Sequence, residues 1–259
     1  MAGSILGTEV TRTEDPELLL GRASYVGDLA LDRAVHLAFV RSEYAHARLV
    51  RIDTTAAAEA PGVVGVFVAD DLGLAGYHGL AKVHDDFART PLATDRVRYV
   101  GDVIAVVAAE SATAARDGAA LVAVDYEELP CVVDPEDALA PGAPLIFPAH
   151  GSNVALADTG ADDPGFFGDA DVVVRGRYVN QRLAVAAIEP LTAASDIDER
   201  GRLVVYASTQ MPHAFHGMLA QALKKPMEEI HIITPHVGGG FGGKLGPFPE
   251  QVVVAALAM

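Results

Sequence analysis

The sequence predicts an α+β protein built in two parts. Three observations carry that expectation. Strand-like and helix-like stretches alternate through residues 34–126, but without the regular βαβ repeat of a parallel doubly wound fold. Five prolines (Pro130, Pro135, Pro141, Pro144 and Pro148) then fall within nineteen residues, which predicts an extended connector. A second set of strand patterns follows and ends in a glycine-dense loop at 238–243. The expected division is a lead-in at 1–16, a first domain at 17–130, a connector at 131–150 and a second domain at 151–259. With 51% hydrophobic residues in 259, a sizeable core is available.

Taken in order, residues 16–21 (PELLLG) read as one helical turn closed by glycine. Residues 34–41 (AVHLAFVR) alternate, with Val35, Leu37 and Phe39 on one face, as in a half-buried strand. Residues 48–53 form a second strand. An alanine-rich helix at 54–60 is stopped by Pro61-Gly62. Residues 63–68 are a third strand, and 72–89 a loop. The run 97–109 (VRYVGDVIAVVAA) reads as one long strand with Gly101 at a bulge. Ser111 suits an N-cap for a helix of small residues, and 121–126 a further strand.

Beyond the connector, strands are expected at 172–179, 183–194 and 202–207, with Asp198-Glu199-Arg200-Gly201 as a hairpin turn. Residues 212–224 are an amphipathic helix with Phe215, Met218, Leu219, Ala222 and Leu223 on its core face. The last stretch, IHIITPHVGGGFGGK (230–244), reads as strand and then glycine loop, followed by an apolar helix at 249–259. That helix lacks a closing glycine, asparagine or basic residue, so its last carbonyls are expected to need partners from elsewhere. On this reading the first 150 residues fold alone and the remainder is only marginally ordered without a partner chain.

Five glycines in six positions are costly to order. Their use is close backbone approach to a ligand, and consecutive N–H groups in such a loop make an anion site. The plainer reading is a tight turn in a packed sheet. Gly238, Gly240 and Gly243 also satisfy G-x-G-x-x-G, but the acidic residue wanted about 20 positions on lies beyond Met259. Residues 238–244 match the start of a P-loop. Leu245 has no hydroxyl for Mg²⁺, however, and Gly246-Pro247 interrupts the helix that should follow.

Composition excludes several classes. A net charge of −16 argues against nucleic acid as a partner. One cysteine, Cys131, permits neither an internal disulfide nor a Cys₄ iron–sulfur site, and fits a cytoplasmic protein. The N-terminal residues lack the regions of a signal peptide, and no run reaches the ~18 apolar residues of a membrane span. Cys131 is expected as a small buried residue.

Three blocks, VRSEYAHARLVRIDTTAAAEAPGVVGVFVADD (40–71), VRYVGDVIAVVAA (97–109) and VDYEELPCVVDPEDAL (124–139), resemble the α/β hammerhead domain. That domain opens the molybdenum subunit of the xanthine dehydrogenase, aldehyde oxidase and carbon monoxide dehydrogenase family. AIEPLTAASD (187–196), YASTQMPH (206–213) and VGGGFGGK (237–244) resemble the start of its molybdopterin-binding domain. The resemblance runs from about residue 11 to 259 and implies a hammerhead domain followed by the first part of a molybdenum cofactor-binding domain.

It also implies roles. Gln210 is similar to the family's glutamine that hydrogen-bonds an oxo ligand of molybdenum, a task an amide NH₂ does without titrating. The plainer reading is a glutamine closing a hairpin. Phe241 walls the pocket in the resemblance, against the alternative of a core anchor pinning the loop. Gly242 would offer its N–H to a metal oxygen, while Gly239, Gly240 and Gly243 serve conformation. Lys244 is a phosphate partner or a solvated lysine. Glu189 matches an acidic position of the family and is read as structural, since the family's general base comes from far downstream. His213, His216, His231 and His236 are read as non-ligands. Leu245 stands where purine-oxidising members carry a glutamate, which disfavours purines.

The implied reaction is oxidation of a C–H, aldehyde or carbon monoxide substrate with water as oxygen source. The implied cofactor is molybdopterin, as the cytosine dinucleotide, with Mo. Fe–S clusters and FAD are expected only on partner subunits. The downstream cofactor-binding segment is a further expected partner, and the isolated chain is expected to be inactive. The competing reading is a non-catalytic structural or assembly module.

Overall fold

The computed structural model describes residues 6–7, 9–81, 83–157 and 165–259. The expected lead-in at 1–16 therefore lies partly outside the described residues.

Two three-stranded sheets build the first part. The first has order β1-β5-β3, all antiparallel, from β1 (His36–Arg41), β3 (Val63–Val68) and β5 (Val103–Ala109). The second has order β4-β2-β6, from β2 (Ala47–Asp53), β4 (Arg96–Val97) and β6 (Ala123–Glu128). Every residue of β5 is buried, as its uninterrupted apolar run requires of a central strand. The stretch 97–109 is not one strand. Gly101 turns the chain at φ +94°, so β4 and β5 join different sheets. A left-handed glycine makes that turn without steric cost.

Helix α4 (Ala112–Ala120) lies on β1 and β5, and the Ser111 side chain accepts the Ala114 N–H at 3.1 Å as its N-cap. Small residues let α4 sit close. A Cβ on Gly118 would stand 2.8 Å from Val63 Cγ2 and 3.0 Å from Val107 Cγ1. Gly118→Val is therefore expected to cost about 1–3 kcal/mol by overpacking. The check is a lower urea midpoint at unchanged m-value; an unshifted midpoint would refute this packing. Shorter helices α1 (Asp15–Leu19), α2 (Thr55–Ala58) and α3 (Ala69–Leu72) occupy the turns.

The connector is a folded strap rather than an extended chain. Asn153 pins it: Nδ2 donates to Ala138 O at 3.1 Å and Pro144 O at 2.9 Å, and Oδ1 accepts from Ile146 N–H at 3.2 Å. Cys131 is exposed, because the prolines around it keep its segment on the surface.

The second part is a sheet of order β7-β8-β9 from β7 (Ala193–Ile197), β8 (Leu203–Ala207) and β9 (Ile230–Ile233). The 198–201 hairpin joins β7 and β8 antiparallel. Helix α5 (Pro212–Leu223) crosses over so that β9 runs parallel to β8. The expected strands at 172–179 and 183–194 do not form, apart from the last two residues, which open β7. Apolar composition alone cannot make a strand; a ladder partner is needed, and among the described residues no strand forms a ladder with residues 172–192, which make only single backbone bonds such as Glu189 N–H to Gly238 O at 3.2 Å. Their apolar side chains stand in the open, with Tyr178 91% and Ile188 99% exposed.

Helix α6 (Pro249–Leu257) joins the two parts. Val252 and Ala255 enter the core of α5, β8 and β9, while Val253 packs with Leu92, Val103 and Val106 of the first part. All three α6 residues are fully buried. Each buried valine is worth about 1.5–3 kcal/mol relative to exposure. Tyr77, from the loop after α3, reaches the second core and donates its hydroxyl to Pro247 O at 2.9 Å. Burial pushes that phenol well above its ordinary range, which keeps it a neutral donor. The apolar face of α6 is covered by both cores.

Candidate functional site

The glycine loop leaves the carboxyl end of β9, and Ser208-Thr209-Gln210 leaves the carboxyl end of its parallel neighbour β8. The crevice beyond such strand ends is where open sheets bind ligands. A third segment, 187–192, runs in to β7 and completes the site.

The tip of the loop is a β-turn. Gly243 N–H donates to Gly240 O at 2.8 Å, and both central residues have positive φ, Phe241 at +51° and Gly242 at +83°. Two positive φ values mark a type I′ turn. Glycine takes that geometry freely; Phe241 pays roughly 1–2 kcal/mol for it. Gln210 holds the turn in place. Its Oε1 accepts the N–H of Gly242 at 3.0 Å and of Lys244 at 3.2 Å, and its own N–H donates to Lys244 O at 2.8 Å. Thr209 Oγ1 donates to the same carbonyl at 3.2 Å.

Glycine is required where these segments meet. A Cβ on Gly240 would overlap the Gln210 side chain, and one on Gly243 would stand 2.9 Å from Val185 Cβ. Gly239 has φ +102°.

Beneath the loop lies a buried ion pair. Lys244 Nζ donates to Glu189 Oε2 at 2.8 Å, with 4% and 8% of the two side chains exposed. The same oxygen accepts from Ser208 Oγ at 2.7 Å and Gly238 N–H at 2.7 Å. Burial works to raise the Glu189 carboxyl. The hydrogen bonds from Lys244, Ser208 and Gly238 outweigh it and hold the group below the ordinary carboxylate range. Glu189 Oε1 is buried with no partner among the described residues.

The sequence-predicted residues are thus brought together, with two changes of role. Lys244 is neither solvated nor aimed at phosphate; it neutralises Glu189. The Gly242 N–H is taken by Gln210. In its place, the backbone N–H groups of Gly239, Gly240 and Phe241 have no partner among the described residues, and neither does the Gln210 NH₂. Phe241 is 80% exposed, so it is no core anchor. His213, His216, His231 and His236 do not assemble: His216 bonds Met227 O at 2.8 Å, and His236 contacts Glu17 at 3.4 Å and Ser24 at 3.3 Å. Sequence reasoning gave no role to Ser208; its place directly before Thr209 and Gln210 was the available signal. A cleft of about 620 Å³ lies elsewhere, between β1, β7 and α6, lined by Val26, Phe39, Ser195 and Glu250 among others.

The profile described as aldehyde oxidase and xanthine dehydrogenase, a/b hammerhead domain, matches residues 20–130, and that of the molybdopterin cofactor-binding domain matches 146–259. The chain belongs to the aldehyde oxidase and xanthine dehydrogenase family. Among relatives, it is 36% identical over 260 residues to the 6-hydroxypseudooxynicotine dehydrogenase complex subunit gamma of Paenarthrobacter nicotinovorans, covering 96% of this chain and 32% of that one. It is 32% identical over 273 residues to the carbon monoxide dehydrogenase large chain of Afipia carboxidovorans, covering 98% and 34%. The solved quinoline 2-oxidoreductase of Pseudomonas putida 86 superimposes with a TM-score of 0.88 at 34% identity, covering 98% of this chain and 33% of the other. The chain spans about a third of the length of these relatives.

The loop fits the family's anionic cofactor. Among the described residues, three consecutive N–H donors and one amide NH₂ are left without partners, which is the donor set an anionic group needs. Among the described residues no helix is long and apolar enough to cross a membrane.

Proposed function

We propose that this chain supplies the cofactor-facing wall of a cytoplasmic molybdenum hydroxylase. The observation that carries the reading is the run of three unpaired N–H groups at Gly239, Gly240 and Phe241, held open by Gln210. Bound there, molybdopterin, in its cytosine dinucleotide form with Mo, supplies two-electron oxidation of the substrate with water as oxygen source. The chain's own residues bind and orient. Gly239, Gly240 and Phe241 donate backbone N–H groups, while Gly242 and Gly243 shape the turn. Gln210 fixes the turn through Oε1 and keeps its NH₂ for the cofactor, and Phe241 walls the approach. The Glu189–Lys244 pair underpins the loop.

Electrons leave through Fe–S and FAD partner subunits, because a chain with one cysteine cannot ligate a Cys₄ cluster. The general base and the rest of the cofactor cage belong to a downstream cofactor-binding segment. Quinoline and 6-hydroxypseudooxynicotine, in the relatives' names, are nitrogen heteroaromatics, so that substrate class is the first to test. Leu245 disfavours purines.

The test is molybdenum, pterin and iron analysis of the chain, purified alone and after co-production with the downstream segment and partners. Near-stoichiometric molybdenum and pterin are expected only in the assembly, with no iron on the single chain. A folded assembly without molybdenum would favour the structural-module reading instead. Iron–sulfur absorbance in the lone chain would refute the division of labour.

A further inference from the structure

We propose that His84, Asp86 and His150 bind one divalent transition-metal ion, with Zn²⁺ the best match. The site shares no residue with the glycine loop. Asp86 Oδ2 lies 3.2 Å from His84 Nδ1 and 3.2 Å from His150 Nδ1, and the three candidate ligand atoms all fall within 4.8 Å of one another. Ligands bound tetrahedrally at about 2.0–2.2 Å stand roughly 3.3–3.6 Å apart. Two of the three separations are thus already close to those of a filled site.

The donor set selects the ion class. Two imidazoles and one carboxylate suit Zn²⁺ and its borderline neighbours, whereas Ca²⁺ and Mg²⁺ prefer all-oxygen shells. Three protein ligands leave a fourth position for water.

The fold holds these ligands from two directions. His84 caps the short 3₁₀ turn Asp85–Phe87 that carries Asp86. His150 comes from the far end of the connector, and its ring packs 4.6 Å from Phe87 and 4.7 Å from His84, centroid to centroid. Phe147 packs on Phe87 at 4.8 Å and fixes that approach. His84 Nδ1 also accepts the Asp86 N–H, at a long 3.3 Å, which a small ring rotation exchanges for the metal. A bound ion would clasp the connector to the loop before β4.

The experiment is Co²⁺ titration of the untagged full chain, followed by the visible d–d absorption of a low-symmetry site and by displacement with Zn²⁺. One equivalent is expected to bind and to be displaced. Asp86→Asn, His150→Gln and the exposed His84→Gln should each weaken binding by roughly tenfold or more, since even outer-shell partners of a metal site are worth 10–100-fold. His213→Gln/His216→Gln should bind as the unsubstituted chain does. Because His84 is exposed, its variant tests the site even if His150→Gln misfolds. Absence of stoichiometric binding, or tight binding retained in His84→Gln, overturns the proposal. So does binding lost only in the His213/His216 variant.

Discussion

Lys244→Met is expected to destabilise the chain by about 3–5 kcal/mol, the range for removing one partner of a buried ion pair. The Glu189 carboxylate would remain buried with Ser208 and Gly238 as its donors among the described residues. A neutral pair, Glu189→Gln with Lys244→Met, should recover most of the loss, because no charge is then left uncompensated. The pH dependence has a definite sign. Against burial, which works to raise it, the hydrogen bonds from Lys244, Ser208 and Gly238 hold the folded Glu189 carboxyl below the ordinary carboxylate range. Its contribution is therefore complete above the unfolded value and disappears as pH falls through the lower folded value. The stability gap between the unsubstituted chain and Glu189→Gln should accordingly narrow in acid. Urea unfolding across that range measures it. A Lys244→Met chain within about 1 kcal/mol of the original, a shift ordinary for a point mutation, would show that the pair does not matter.

Gln210→Ala should lower turnover of the assembled enzyme by roughly ten- to hundredfold. A hydrogen bond to a charged group is worth about 1.5–3 kcal/mol, and 1.36 kcal/mol is tenfold in rate. The side chain does two jobs, so the loss has two sources. The NH₂ is the spare donor, and Oε1 restrains a turn that holds Phe241 at positive φ. Folding stability should change much less, because Gln210 is exposed. Gly240→Ala, which drives a methyl into the Gln210 side chain, should reproduce the kinetic defect. Molybdenum content must be measured alongside kcat and KM. A cofactor-replete Gln210→Ala enzyme with full turnover would remove this residue from the site.

Local signals were legible where local chemistry decides. The Ser111 cap, the 198–201 hairpin and the Pro212 helix start each need only neighbouring residues, and each is present. The glycine loop was legible for the same reason: five glycines imply positive φ and close approach. What the sequence hid depends on distant partners. Nothing in 97–109 shows that its two ends join different sheets. Nothing in the apolar residues of 172–179 shows that no strand lies beside them. Lys244 and Glu189 were each visible as candidates, but 55 positions apart, with no pattern to say that they meet. The spare donors at 239–241 are likewise set from afar, because Glu189 takes the Gly238 N–H and Gln210 those of Gly242 and Lys244.

The placement of α6 also bears on synthesis. Val253 fills a position in the core that holds Leu92, Val103 and Val106. At about 5–20 residues per second, a ribosome makes Val253 roughly 7–30 s after Val106. Until then the nascent hammerhead carries a vacancy in its own interior, and Tyr77 has no second core to enter. The domain made first therefore reaches its final packing only after α6 has followed it, and in that interval it presents apolar surface to whatever chaperone or neighbouring chain is at hand.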